Sequence, residues 1–162
     1  MKKILLILIV NFSIFGFSQK TIDEVLKKLN KNDITYIKPS ELNSIKNYIL
    51  LDAREKNEFD VSHLESAKYI GFNNYKESDF LKLNLDKNTT IIVYCSLGVR
   101  SEKIAEKIKK LGYSNIFNLY GGLFQWKNEG GKVFDNSNLE TQNVHAFSKE
   151  WSVYLKKGKK VY

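Results

Sequence analysis

The sequence predicts an α/β protein with a parallel central sheet. Two runs carry the prediction: residues 48–51, which are apolar throughout and end at Asp52, and residues 89–94, which are β-branched or aromatic. The second run is followed by an amphipathic helix whose apolar face is Ile104, Ala105, Ile108 and Leu111. Because strands alternating with helices form parallel sheets covered on both faces, we expect three layers.

Local signals predict the elements that precede residue 89. Thr21 and Glu24 have capping-box spacing and open a helix over residues 21–31. Residues 34–37 alternate like a strand, and Pro39 opens a short helix. The pattern then favours a short strand over residues 68–70 and a short helix over 77–84.

The later elements surround a loop that contains the chain's one cysteine, Cys95. The amphipathic helix is expected to begin near Glu102 and to stop at Gly112. A strand over residues 116–119 follows, and then a short helix after the Gly121-Gly122 pair. Cys95 comes directly after a predicted strand, and ligands of parallel sheets bind at the carboxyl ends of strands.

The N-terminus has the pattern of a secretory signal. Lys2 and Lys3 precede an apolar run of about 14 residues that ends in the small residues Gly16 and Ser18. The alternatives are a membrane anchor or a buried helix, but a spanning helix needs roughly 20 apolar residues. We expect export to the periplasm or medium with cleavage after Ser18, and no stable membrane insertion afterwards.

The predicted organisation therefore has four parts. A signal peptide over residues 1–18 precedes a helical segment over 19–33, a single domain over 34–131 and a C-terminal extension over 132–162. The extension contains apolar residues at a spacing that permits a helix packed back onto the domain.

Composition excludes several classes of function. One cysteine and two histidines leave no partners for an internal disulfide or a cysteine-rich zinc site, so no metal is expected. The formal charge is +8, with two of the 26 basic residues being arginine, Arg54 and Arg100. Because the lysines are spread along the chain, we expect no nucleic-acid partner. A C-terminal lysine cluster is either a solvated tail or a contact for an acidic membrane surface.

The residue types around Cys95 favour nucleophilic chemistry. A short loop that leads into a helix points backbone N–H groups and the helix dipole at one spot, which lowers the pKa of a thiol placed there. Gly98 permits a tight turn, and Arg100 supplies a planar clamp for an anion. The simpler interpretation is an inert buried cysteine. The candidate anion-binding residues are Ser96, Leu97, Gly98, Val99, Arg100 and Ser101.

Three segments together resemble a single-domain rhodanese. They are an upstream segment with Asp52, Ala53, Arg54, Glu58, Phe59, His63 and Ala67, the loop from Cys95 to Ser101, and the segment from Leu119 to Trp126 with Gly121 and Gly122. The resemblance implies a rhodanese-like fold, a sulfurtransferase activity without a cofactor, and a persulfide on Cys95. The donor would be thiosulfate or a persulfide, and the acceptor an external small or protein thiol or a cyanide-like nucleophile.

The resemblance also separates chemical roles from structural ones. Asp52, Arg54 and Glu58 are expected to form a charged network that holds the loop after the buried strand and supports the fold, with His63 and Trp126 as framework residues rather than a general base and a binding box. Ser62 stands where the family usually has glycine, so the turn before His63 is expected to differ. Because Leu97 and Val99 leave Arg100 as the loop's one cation, we expect thiosulfate to be used less well than donors with an apolar part.

Two other functions remain open. One is a noncatalytic module that binds a partner or an anion, although such a module has no need of a thiol at a helix N-terminus. The other is a cysteine-dependent phosphatase or arsenate reductase. Related phosphatases place five residues between the cysteine and the arginine, whereas four lie between Cys95 and Arg100.

Overall fold

The computed structural model describes residues 20–42 and 44–162. The predicted signal peptide lies outside the described residues, so export with cleavage after Ser18 stays a prediction. Within the part of the chain that is described, no helix is both long enough and apolar enough to cross a membrane.

Helices and strands alternate along the chain up to residue 128. The helices are α1 (Ile22–Leu29), α2 (Pro39–Leu42), α3 (Lys56–Val61), α4 (Glu77–Leu81), α5 (Val99–Lys110) and α6 (Gly122–Asn128). The strands are β1 (Thr35–Ile37), β2 (Tyr48–Asp52), β3 (Lys68–Tyr69), β4 (Thr90–Tyr94) and β5 (Ile116–Leu119). After residue 128 come β6 (Val133–Phe134), β7 (Glu140–Thr141), β8 (Asn143–His145), a 3₁₀ helix (Trp151–Tyr154) and β9 (Lys159–Val161).

The first five strands form one parallel sheet in the order β1-β5-β4-β2-β3. Strand β4 pairs along its whole length with β2 and also pairs with β5. Ile91, Ile92 and Val93 of β4 are fully buried. The α/β class and the parallel sheet predicted from the sequence are therefore confirmed.

Two apolar layers cover the sheet, and the helices divide between them. Ile104 and Ile108 of α5 pack with Phe80 of α4 on one face. On the other face, residues of α1, α2 and α6 pack with part of the C-terminal segment, residues 132–162. Alternate residues of β4 serve the two layers, as a strand buried on both faces requires.

Two helices differ from the prediction. Helix α3 was not predicted, because its six residues include only two apolar side chains, too few to show a helical repeat, and its buried residue is the charged Glu58. Helix α5 begins at Val99 rather than near Glu102, since Gly98 adopts a left-handed conformation with φ +112° and forms the N-cap. As a consequence, Arg100 and Ser101 lie in the first turn of α5 rather than in a loop.

The helix that the C-terminal spacing permits does not form. Strand β6 pairs antiparallel with β7, β8 pairs parallel with β9, and only the 3₁₀ turn between β8 and β9 is helical. Left-handed backbone at Phe147 (φ +65°) and Gly158 (φ +96°) interrupts any helical run. The segment nevertheless buries Val144, Ala146 and Leu155 against the domain.

Gly122 joins α6 to the cysteine loop. The N–H of Leu123 donates to the Cys95 carbonyl at 2.9 Å, and the N–H of Phe124 donates to the Ser96 carbonyl at 3.1 Å. A side chain at Gly122 would collide with the Cys95 carbonyl oxygen, and φ there is +54°. The glycine therefore provides both a left-handed turn and a close backbone approach.

We predict that Gly122→Ala destabilises the protein by about 3 kcal/mol or more, because the new methyl group must displace the cysteine loop as well as adopt left-handed backbone. Gly112→Ala is the matched control. Gly112 is also left-handed, but nothing lies within 4 Å of where its Cβ would be, so we expect a loss of only about 1 kcal/mol. Urea unfolding measures both losses, and equal losses would contradict the close-approach role.

Candidate active site

Cys95 directly follows β4 at the carboxyl edge of the sheet, and its side chain is 2% exposed. The Gly98 N–H donates to the Cys95 Sγ at 3.1 Å, and the Ser101 hydroxyl lies 3.5 Å from the same sulfur. Asn118 fixes this arrangement, since its Nδ2 donates to the Gly98 carbonyl at 2.8 Å and its Oδ1 accepts from the Ser101 hydroxyl at 2.7 Å, so the one hydroxyl proton of Ser101 lies between Asn118 and the sulfur. The sulfur thus lies among donors at the N-terminus of α5.

This environment lowers the pKa of the Cys95 thiol. Burial by itself raises that pKa, because it disfavours the charged thiolate. The positive charge of Arg100, the Ser101 hydroxyl and the backbone N–H groups of Ser101 and Gly98 all lower it, and together they outweigh burial. A larger thiolate fraction at neutral pH follows, and the thiolate is the nucleophilic form of cysteine.

Arg100 forms an ion pair with the carboxylate of Glu58. Its two terminal nitrogens donate to the two Glu58 carboxylate oxygens at 2.6 Å and 2.8 Å, a bidentate pair. The Ser96 hydroxyl joins them, accepting from Arg100 at 3.0 Å and donating to Glu58 at 3.1 Å. Burial acts to raise the pKa of Glu58, but the hydrogen bonds and charge of Arg100 hold it below its usual value.

The charged network predicted for Asp52, Arg54 and Glu58 has two hydrogen-bonded parts, which interact through the opposite charges of Arg54 and Glu58. Arg54 is fully buried, and its guanidinium bonds Asp52 at 2.6 Å and the Ser62 carbonyl at 2.6 Å. Glu58 instead faces Arg100. The Asp52–Arg54 pair therefore supports the fold, whereas Glu58 belongs to the site.

The structure places the other upstream residues in the framework. His63 is hydrogen-bonded through Nδ1 to the Phe59 carbonyl at 3.1 Å and stacks on the Phe59 ring at 4.0 Å. Ser62 has extended backbone with φ −173°, which any residue adopts, so its departure from glycine imposes no strain. Trp126 donates from its indole nitrogen to the Lys132 carbonyl at 2.8 Å.

The C-terminal segment contributes two aromatic side chains that the sequence analysis did not assign to the site. Phe147 and Trp151 line a cavity of about 130 Å³ together with residues of the cysteine loop. The other lining residues are Cys95, Ser96 and Leu97 of the loop and Val99 and Arg100 of the first turn of α5. The available signal was an aromatic pair four residues apart among the apolar residues of this segment, and that pattern also fits a packed helix.

His145 holds Phe147 in place. The Phe147 N–H donates to the His145 Nδ1 at 3.1 Å, so that nitrogen must be unprotonated. Burial lowers the pKa of His145, which favours this neutral form. The Arg100 guanidinium carbon lies 4.7 Å from the centre of the Phe147 ring, within cation–π range.

Among residues 20–42 and 44–162, no three histidine, cysteine, aspartate or glutamate side chains gather in a way that could hold a metal ion.

Comparison with known proteins identifies the domain. The model of the Rhodanese-like domain family matches residues 21–129. A tRNA uridine(34) hydroxylase from Buchnera aphidicola is 34% identical over 100 residues, covering 57% of this chain and 31% of that protein. One from Aster yellows witches'-broom phytoplasma is 33% identical over 104 residues, covering 60% of this chain and 34% of that protein. The chain thus spans about a third of the length of these curated relatives.

Solved structures show the same fold. A protein from Bacillus halodurans has a TM-score of 0.55 at 27% identity and covers 70% of this chain and 82% of its own. A rhodanese-like domain protein from Staphylococcus aureus has a TM-score of 0.54 at 26% identity and covers 64% of this chain and 99% of its own.

We predict that the pH profile of Cys95 alkylation by iodoacetamide has its midpoint below that of N-acetylcysteine measured in the same way, because the donors around Cys95 lower the pKa of its thiol. Ser101→Ala removes a donor that stabilises the thiolate, so its midpoint should move to higher pH. Ser62→Ala is the control: Ser62 is also buried, but its hydroxyl has no hydrogen-bond partner among the described residues. A Ser101→Ala midpoint equal to that of the parent protein would show that the hydroxyl does not act on the thiolate.

Proposed function

Because the chain belongs to the Rhodanese-like domain family, we propose that it is a sulfurtransferase in which Cys95 carries the transferred sulfur. The carrying observation is the thiol itself, with its lowered pKa and a 3.1 Å hydrogen bond from the Gly98 N–H at the N-terminus of α5. A buried inert cysteine needs no such donors. A thiolate nucleophile does.

In the first step, the Cys95 thiolate attacks the outer sulfur of a donor. A new S–S bond forms on Cys95 while the donor's own S–S bond breaks, and the electron pair of that bond leaves with the rest of the donor. The leaving group is sulfite from thiosulfate or a thiolate from an organic persulfide. The N–H groups at the start of α5 are placed to stabilise the negative charge of the resulting persulfide.

In the second step, an external thiolate or cyanide-like nucleophile attacks the outer sulfur of the Cys95 persulfide. The acceptor gains the sulfur, and the electron pair of the broken S–S bond returns to Cys95 as the thiolate. Because Cys95 is the chain's one cysteine, the acceptor must come from another molecule, either a small thiol or a protein thiol. We do not extend the tRNA substrate of the hydroxylases named above to this chain, since the chain covers only about a third of their length.

The paired state of Arg100 argues against phosphatase chemistry. A phosphatase cradle has to receive a phosphoryl dianion, and here the bidentate bonds of the guanidinium go to Glu58. The loop between Cys95 and Arg100 is also one residue shorter than in related phosphatases. A sulfane sulfur is smaller and carries less charge, and it fits the donors around Cys95 better.

The direct test is treatment of the purified protein with thiosulfate and, separately, with a small organic persulfide. Mass spectrometry should show the mass of one added sulfur atom on Cys95, and dithiothreitol should remove it. The Cys95→Ser variant serves as the control and should gain nothing. If neither donor yields the adduct, the proposal fails.

We further predict that Glu58→Gln shifts donor preference toward thiosulfate. The substitution removes one negative charge beside Arg100, so the ratio of kcat/KM for thiosulfate to that for an organic persulfide should rise by about tenfold. Stability should fall by about 1–3 kcal/mol, because Arg100 loses a charged partner.

Asp60→Asn is the matched control for Glu58→Gln. Asp60 lies on the same helix, α3, and its hydrogen bonds go to Lys56 and Asn136 rather than to Arg100. We expect its donor ratio to equal that of the parent protein. An unchanged ratio in Glu58→Gln would mean that charge pairing of Arg100 does not limit thiosulfate use.

A further inference from the structure

The space in front of Cys95 is lined in part by side chains from outside the segment that matches the family. The family model ends at residue 129, whereas Phe147 and Trp151 belong to the C-terminal segment. Their rings stand edge to face, with centroids 6.5 Å apart and an interplanar angle of 76°. With Leu97 and Val99 of the loop they form what we term the apolar slot.

Phe147 is held over the cysteine against its own conformational preference. A bulky side chain at φ +65° costs about 1–2 kcal/mol. Three contacts offset this cost. The Phe147 N–H donates to the His145 Nδ1, and the Phe147 ring covers the Arg100 guanidinium. The preceding residue is tied to β9, since the Ala146 N–H donates to the Val161 carbonyl at 2.8 Å. Even so, the Phe147 side chain is 46% exposed. A strained and exposed aromatic ring beside a nucleophile points to contact with a substrate.

The charge of the site disfavours an anion in the slot. Among the residues that the structure describes, Arg100 is the only cation lining it, and that cation is paired with Glu58 on one side and covered by the Phe147 ring on the other. The volume of about 130 Å³ is close to the ~150 Å³ of an apolar cavity that takes up benzene. The slot therefore suits an uncharged group of about the size of one ring.

We propose that the apolar slot selects organic persulfides and thiols whose sulfur is attached to an apolar group of about the size of a benzyl group. Phe147 and Trp151 are its specificity-determining residues. The assignment of sulfur transfer rests on the function proposed above, whereas the shape and polarity of the slot do not. The two can therefore be tested separately.

The first experiment measures the slot without any sulfur transfer. N-Benzyliodoacetamide and iodoacetamide react in the same way: the Cys95 thiolate forms a C–S bond, and iodide leaves with the electron pair of the C–I bond. The ratio of their rate constants on Cys95 cancels the pKa of the thiol, since both reagents meet the same thiolate fraction. Division by the same ratio for N-acetylcysteine removes the intrinsic difference in reactivity between the two reagents. We expect this corrected preference to be about tenfold, and the corresponding value for the anion iodoacetate to be below one.

Variants locate the origin of that preference. Phe147→Gly removes the ring and relieves the left-handed strain, so it should fold while lowering the benzyl preference to near one. Trp151→Ala should also lower it. Val153→Ala is the matched control, since Val153 lies on the same 3₁₀ helix, is 38% exposed and does not line the slot, so its preference should equal that of the parent protein. A parent preference near one, or one that Phe147→Gly leaves unchanged, would overturn the proposal.

A second arm uses protein whose Cys95 has been loaded as the persulfide. Because benzyl mercaptan is the more acidic thiol, the ratio of its rate to that of ethanethiol is divided by the same ratio measured with a small soluble persulfide. This corrected preference should be about tenfold, and Phe147→Gly should bring it near one. If Cys95 accepts no sulfur from any donor but the benzyl preference in alkylation persists, the sulfurtransferase function fails and the slot stands. If sulfur transfer occurs without any benzyl preference in either arm, the slot fails and the sulfurtransferase function stands.

Discussion

The bond between Glu58 and Arg100 determines what this site can bind. Without Glu58, a guanidinium at the N-terminus of α5 would offer a positive field in front of Cys95 and favour multiply charged donors. With Glu58 in place, Arg100 still lowers the pKa of the thiol, but its charge is paired and three of its five N–H donors are bonded within the protein. Activation of the nucleophile is thereby separated from attraction of an anionic substrate.

The same pairing explains how an apolar wall can stand beside a charged side chain. An unpaired guanidinium would draw water into the cavity, whereas a neutralised one presents its flat face to the Phe147 ring. The Phe147 ring of the C-terminal segment packs on that face. The segment buries Val144, Ala146 and Leu155 against the domain and carries Phe147 and Trp151 to the rim of the site. Packing energy from the segment's buried residues thus maintains an exposed and strained aromatic residue.

Sequence reasoning was strongest where local physics determines structure. The β-branched run of β4 is buried on both faces, and the capping box of Thr21 and Glu24 opens α1 as predicted, because both signals lie within a few consecutive residues. Partners that are distant in sequence were missed. Glu58 was grouped with Asp52 and Arg54, its neighbours in the chain, although its bonds go to Arg100, 42 residues away. Charge complementarity alone does not tell a near partner from a distant one.

The C-terminal segment shows a second limit, since apolar spacing reports burial better than it reports backbone conformation. Residues Val144, Ala146 and Leu155 are buried, as a helix packed on the domain would require. However, Val144 lies in the paired strand β8, Ala146 precedes the left-handed Phe147, and Leu155 follows the 3₁₀ helix. A left-handed phenylalanine has no local sequence signature, because residues other than glycine, asparagine and aspartate rarely adopt that conformation. It is stable here only because His145, Arg100 and β9 all hold it, and such a convergence of distant groups exists only in the folded chain. The residues that we propose to determine specificity are therefore the ones that local sequence patterns describe least well.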